Sequence, residues 1–417
     1  MSRRFEHRLH RELAASRPPR SADAERRAWA VVRAAHAARS PVRTGRGRMR
    51  LALVAVGAVV AAALALTPAG AKMGGWIDDV VSPAPKVTHS SLSSLSALPA
   101  PGRLLVMADG SAWVVSDDVA QRQLGAFSDA TWSPNGLFVA GARGHELVAL
   151  DPQGTERWTR PAAGRVSVPR WSPDGYRIAY RSGSELRVVW GNDARDWRIA
   201  RGVGDAPPAW KPLAEPAEQV LAFAAGARVR IVAVDGGRVL GQTPAGPPAR
   251  EIWWAEGGRR LLTVTEHSVR VHGPGGALLR VVELPAGATV TGSALAPGGR
   301  RLALISRRGS VSRLLVMRLG RAAPPRSRLS TDGALDGVTW SIDGSVLAVG
   351  VPAADQWWFV PPQGAVGVES VKRIRKAFAG GHEPRRGEFP RLVGWCRPEP
   401  ADRSTSGQPP CSLGSAP

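Results

Sequence analysis

Three observations predict an all-β protein built as a ring of blades, a β-propeller. The first is punctuation: 47 Gly and 35 Pro interrupt short apolar runs across 417 residues, yet 43% of the chain is hydrophobic. Such a chain has apolar surface for a core and too many breaks for a helical array. The second is tryptophan, with 15 Trp against 2 Tyr. The third is the spacing of those Trp. Trp132, Trp171, Trp210, Trp254, Leu295 in a Trp position, Trp340 and Trp395 follow at intervals of 39, 39, 44, 41, 45 and 55 residues. A period of about 40–45 residues marks a propeller, in which each blade is a four-stranded antiparallel sheet.

The elements of one blade follow in order. A short strand ends in the Trp, where a large apolar plate can pack one blade on the next. A tight turn comes next, as TWSPNG at Trp132, RWSPDG at Trp171 and TWSIDG at Trp340. Pro134 and Pro173 preset φ, Asp174 and Asp343 bond locally to the backbone, and Gly136, Gly175 and Gly344 take the left-handed conformation. Weaker copies are AWKPLAEP at Trp210, WAEGGRR at Trp254 and ALAPGGRR at Leu295. Apolar second strands follow, such as YRIAYRS from 176 and RLALISR from 301, then third strands such as ELRVVW from 185 and RLLVMRL from 313. A polar turn leads to a fourth, outer strand.

The blade count follows from the two ends of the repeat. Residues 103–124 read as second to fourth strands with no Trp strand before them, whereas RLVGWC at 391–396 is a Trp strand with nothing after it. Pairing the two closes the ring and removes its sheet edges. Seven blades result, or six if one weak copy is not a blade. The interval from Trp340 to Trp395 leaves an insertion near 362–389, whose basic run VKRIRKAF (371–378) reads first as an outer strand and otherwise as a loop for an acidic ligand.

The motif at Trp171–Gly175, with close copies at Trp132–Gly136 and Trp340–Gly344, resembles the WD40-like repeat of the TolB propeller type. The resemblance covers roughly 103–397. One stretch, LVALDPQGTERW (147–158), instead looks like a quinoprotein-type blade. The TolB resemblance implies a non-catalytic binding or scaffolding role towards protein or cell-envelope polymer in a high-GC bacterium.

Before the repeat lies an uncharged stretch, Leu51 to Ala71, whose 21 residues are long enough for a membrane-spanning helix. Residues 1–50 hold 14 Arg and 4 acids, a net of 14 − 4 = +10. The positive-inside rule assigns this basic stub to the cytoplasm and the rest of the chain to the outside. An uncleaved anchor is the first reading, and a signal peptide cut after the Ala69-Gly70-Ala71 string is the other. Helical patterns at 5–15 and 23–39 predict a short helical stub. Residues 72–102 are Ser/Pro-rich and read as a flexible spacer, and 398–417 as a polar tail. Almost half the formal charge of +22 thus marks topology. The remainder, 51 of 56 cations being Arg, fits the codon bias of a high-GC genome, and no nucleic-acid partner is expected.

The chain has two cysteines, Cys396 and Cys411. In an oxidising compartment they form a candidate disulfide that pins the tail to the closing blade. Neither a G-x-S-x-G elbow, a Walker A loop nor an H-E-x-x-H motif occurs, and the eight His are scattered. The sequence therefore predicts no catalytic, cofactor or metal site. Two other readings remain at this stage. One is an anti-sigma-like transmembrane signalling protein whose stub binds a cytoplasmic regulator. The other is a degenerate quinoprotein- or hydrolase-related propeller.

Overall fold

The computed structural model describes residues 88–92, 98–116, 120–212, 218–321, 323–364, 367–379, 388–396 and 411–413. The proposed stub, the span 51–71 and most of the spacer lie outside these residues. Among the described residues no helix is long and apolar enough to cross a membrane.

The strands form seven sheets. Blade 1 is Asp129–Trp132, Val139–Arg143, Glu146–Leu150 and Glu156–Pro161. Blade 2 is Val166–Trp171, Arg177–Ser182, Glu185–Trp190 and Asp196–Arg201. Blade 3 is Ala209–Trp210, Val220–Ala225, Arg228–Ala233 and Val239–Gln242. Blade 4 is Glu251–Ala255, Arg260–Val264, Ser268–His272 and Leu278–Glu283. Blade 5 is Thr289–Leu295, Arg301–Arg308, Val311–Arg318 and Arg326–Asp332. Blade 6 is Asp336–Trp340, Leu347–Val351, Gln356–Val360 and Gly367–Lys372. The closing blade joins the C-terminal strand Arg391–Cys396 to the N-terminal strands Arg103–Ala108, Ser111–Val115 and Gln121–Ala126. Leu104 stands opposite Trp395 across that seam.

The ring is closed by packing as well as by pairing. Seven apolar clusters each lie between two consecutive blades. Period-two alternation builds them, because each sheet has a neighbour on both faces. In Arg103–Ala108, Leu104 and Val106 face the cluster with blade 6, while Leu105 and Met107 face the cluster with blade 1. The outer strands meet water instead, and Gln121–Ala126 and Leu278–Glu283 are mostly exposed.

The repeated Trp seals these joints. Trp132, Trp340 and Trp395 are buried, and Trp171, Trp210 and Trp254 nearly so. The Nε1–H of Trp210 donates to the Arg170 carbonyl at 2.8 Å, that of Trp254 to Ala209 at 3.1 Å, and that of Trp340 to Ala294 at 2.9 Å. Each bond ties a blade to the inner strand of the blade before it. The Arg301 guanidinium of blade 5 also lies 4.9 Å from the Trp340 ring of blade 6.

The structure departs from the sequence expectations in three places. Part of the proposed spacer, Thr88–Leu92, is a fifth strand that pairs in parallel with Gly367–Lys372. An outer edge offers unpaired backbone groups, and this segment satisfies them. The run 371–378 is not one outer strand. Its strand ends at Lys372, Arg373 takes φ +63°, and a helical turn follows at Ile374–Ala377. Ile374 and Phe378, four apart, both turn into the core. Finally, the tail carries a short strand, Cys411–Leu413, described below.

The axial charge cluster and the turn face as candidate functional sites

The sequence-derived motif residues come together as turns, and each does structural work. In blade 2, Ser172 Oγ donates to Asp174 Oδ1 and accepts from the Arg177 N–H at 2.9 Å. Asp174 Oδ1 also accepts from the Tyr176 N–H at 3.0 Å, and Gly175 sits at φ +74°. Blades 1 and 6 repeat this arrangement. Ser133 Oγ donates to Asn135 at 2.7 Å, and Ser341 Oγ donates to Asp343 at 2.6 Å. The buried Ser is thus the hub of the turn, a role that reading Pro, Asp and Gly alone missed. The residue after each Gly points outward. Leu137 and Tyr176 are 46% and 66% exposed. Their turns adjoin, since a Cβ on Gly175 would lie 3.5 Å from Pro134. Two exposed apolar side chains therefore sit on neighbouring turns of one face.

A second group of residues collects at the axis. The first strands of consecutive blades touch all the way round the ring. Blades 1 and 4 each place an acid three residues before the Trp, Asp129 and Glu251. Blade 6 places Asp336 four before, with a bulge at Gly337 restoring the count. Blade 2 contributes Arg170 and the closing blade Arg391.

Asp129 is buried and lies 4.0 Å from the equally buried Arg170. Its carboxylate accepts the Ala130 N–H at 2.9 Å and the Val168 N–H. Val168 achieves this at φ +47°, in a strand whose register shifts there. A β-branched residue in the left-handed region stores about 1–3 kcal/mol of strain, which is characteristic of functional or tightly specified sites. Burial pushes the Asp129 carboxyl above the usual carboxylate range, against the opposing charges of Arg170 and Arg391. Burial likewise raises half-buried Asp336, again opposed by Arg391.

Glu251 is buried between blades 4 and 5. Ser293 Oγ donates to its Oε2, and Trp253 Nε1–H donates to the same oxygen at 3.2 Å and to Ser293 Oγ at 2.9 Å. Desolvation pushes this carboxyl up to about 7, while Ser293, Trp253 and the Arg170 charge hold it down. Burial works the other way on Arg170, disfavouring its charge, and Asp129 and Glu251 offset this. Chemically the cluster is a set of acids and guanidinium groups held near one another by opposite charge, in which buried Asp129 keeps one carboxylate oxygen without a hydrogen-bond partner among the described residues. The signal for its acids was in the sequence as an Asp or Glu three or four residues before the Trp.

The two cysteines also meet. Cys396 and Cys411 are antiparallel partners with Cα atoms 4.1 Å apart. Among the described residues no group of three or more His, Cys, Asp or Glu is placed to hold a metal ion.

No known family model matches the chain, and no curated protein matches it. Many solved structures are similar, among them the following three. The Myceliophteria thermophila Cps50 (Swd1) β-propeller domain is 15% identical with a TM-score of 0.47, over 59% of this chain and 86% of that one. Kluyveromyces lactis Hsv2p is 12% identical with a TM-score of 0.48, over 64% and 94%. Kuenenia stuttgartiensis hydrazine synthase is 11% identical with a TM-score of 0.46, over 56% and 75%. Likeness at this level assigns no activity. By its own strand pairing and packing the chain is a seven-bladed β-propeller with a buried charge cluster at its axis.

Proposed function

We propose that this chain is a non-catalytic, membrane-anchored extracytoplasmic β-propeller that binds a protein or cell-envelope polymer through the face formed by its Trp-associated turns. The observation that carries this reading is the contrast between its two candidate sites. At the axis, buried Asp129 lies 4.0 Å from Arg170, and buried Glu251 accepts from Ser293 Oγ. Exposed apolar side chains stand on neighbouring turns of one face, at Leu137 and Tyr176. An aromatic flanked by an aliphatic on a rigid surface is the usual anchor of a protein interface. The resemblance to TolB-type repeats supports the binding role, and the span 51–71 with its basic flank supports the topology.

The test is site-specific photo-crosslinking in cells from a probe at position 176, with a second probe at exposed Leu279 as the off-face control. A discrete crosslinked partner from position 176, lost in Leu137→Asp, supports the reading. Equal or absent crosslinking from the two positions overturns it. Protease accessibility of the propeller in intact cells stripped of outer layers tests the topology separately.

A further inference from the structure

One end of the axis is not left to the seven inner strands. Blades 1 to 6 each have their first strand as the sheet edge facing the axis. The closing blade has one strand more on that side, Cys411–Leu413, paired with Gly394–Cys396. From there this three-residue strand also touches the inner strands of blades 1, 5 and 6. A segment anchored on one blade that reaches three others lies across the axis. It lies at the turn end, because Cys411 Sγ is 3.0 Å from the carbonyl oxygen of Ser133, the hub of the blade 1 turn. Cys396 and Cys411 are both buried, in the cluster that joins the closing blade to blade 1.

We propose that Cys411–Leu413 is a plug across the axis at the turn end, that a Cys396–Cys411 disulfide is its latch, and that the inner edge of Arg391–Cys396 beneath it is a strand-accepting site for an extended polypeptide. The physical basis is edge pairing. Cys396 and Cys411 are a non-hydrogen-bonded pair, with Cα atoms 4.1 Å apart, so the backbone N–H and C=O of Trp395 are the groups that face Cys411–Leu413, and with the plug gone they are a template that an extended chain satisfies by strand addition. The chain already extends blade 6 this way with Thr88–Leu92. A three-residue strand contributes few hydrogen bonds, so the covalent bond is what holds it there. Opening is a thiol–disulfide exchange. A dithiol reductant breaks the Cys396–Cys411 bond, leaves two thiols in the protein and becomes a cyclic disulfide itself. The latch rests on the extracytoplasmic placement proposed above, where such a bond persists. Its test uses purified protein, so the two can fail separately.

The chain has no cysteines besides these two, so full-length Cys411→Ser carries a single thiol at Cys396. In this variant Cys396 should react rapidly with a polar maleimide, and amide exchange at 394–396 should accelerate at least about tenfold. Exchange at Asp336–Trp340 should stay unchanged and report an intact ring. Slow labelling with unchanged exchange at 394–396 overturns the plug-and-latch assignment. A synthetic peptide of residues 409–415 is then added with oxidised glutathione, which accepts two electrons and two protons as the mixed disulfide forms. Restored protection at 394–396 by this peptide, and not by a scrambled one with the same cysteine, supports the strand-accepting site. Equal protection by both overturns that part. Cys396→Ser, in which both the latch and its partner sulfur are lost, should show the same fast exchange. If it is slow, the bond is not the latch.

Discussion

Blade 2 and the closing blade have the same four-stranded frame but are assembled differently. Blade 2 is one continuous piece of chain, so forming it closes only short loops. The closing blade brings residue 103 beside residue 396. That contact carries a far larger loop-closure cost, which grows with the logarithm of loop length. Among the described residues two strands are added to the four-stranded frames, Cys411–Leu413 on the closing blade itself and Thr88–Leu92 on the outer edge of the neighbouring blade 6. At the seam the ring is held by strand pairing and packing alone, because there connectivity contributes nothing.

The largest expected effect separates these two regions directly. Trp395→Ala should cost about 3–5 kcal/mol by cavity formation, as should Trp340→Ala. Only Trp395→Ala should open the ring, which native-state hydrogen exchange would show as early loss of protection in 103–115 and 391–396 together. If both variants unfold as one unit, the seam is no weaker than the other joints.

Next comes the latch. Cys411→Ser should lower stability by about 3 kcal/mol for a loop of this length in the chain-entropy model. Reduction of the parent protein should give the same loss, and denaturant unfolding of the two side by side checks it.

The third effect is electrostatic and lies away from the seam. Glu251 has a folded pKa of about 7 against an ordinary 4.5. The folded state therefore holds this proton more tightly than the unfolded chain. The stability it contributes is complete below about pH 4.5 and is lost as pH rises through 4.5 to 7. Glu251→Gln removes that slope. Relative to the parent it should gain stability, approaching about 3 kcal/mol, between pH 5 and pH 8. Thermal unfolding at the two pH values checks this, and a gain that does not grow with pH would show that Glu251 stays charged.

The smallest effect is local. Ser172→Ala strands the Arg177 N–H and should cost about 1–2 kcal/mol. Ser133→Ala should cost more in the latched protein than after reduction, because the Ser133 carbonyl lies 3.0 Å from Cys411 Sγ. Equal costs in the two states would show that the plug does not use this turn.

Much of the ring was legible because its signals are local. The turns at Trp132, Trp171 and Trp340 depend on residues within five positions of one another, and their Ser, Asp or Asn, and Gly fix the chain reversal without outside help. The seam was legible as well, since a strand without partners at each end of a repeat has one economical solution. The degenerate copies at Trp210, Trp254 and Leu295 were harder, yet the period carried them.

The sequence by itself determined the repeat, its blade frame and the candidate membrane segment, because these are written in spacing and in short-range hydrogen bonding. Only the tertiary structure decided which side chains share the axis. Asp129, Arg170, Glu251, Asp336 and Arg391 are separated by tens to hundreds of residues and become neighbours only when the ring closes. Their altered proton affinities come from burial, which no local pattern encodes. The same holds for the two added strands. A short polar segment such as Thr88–Leu92 or Cys411–Leu413 has little strand signal of its own. It becomes a strand because a folded edge beside it has backbone groups to satisfy.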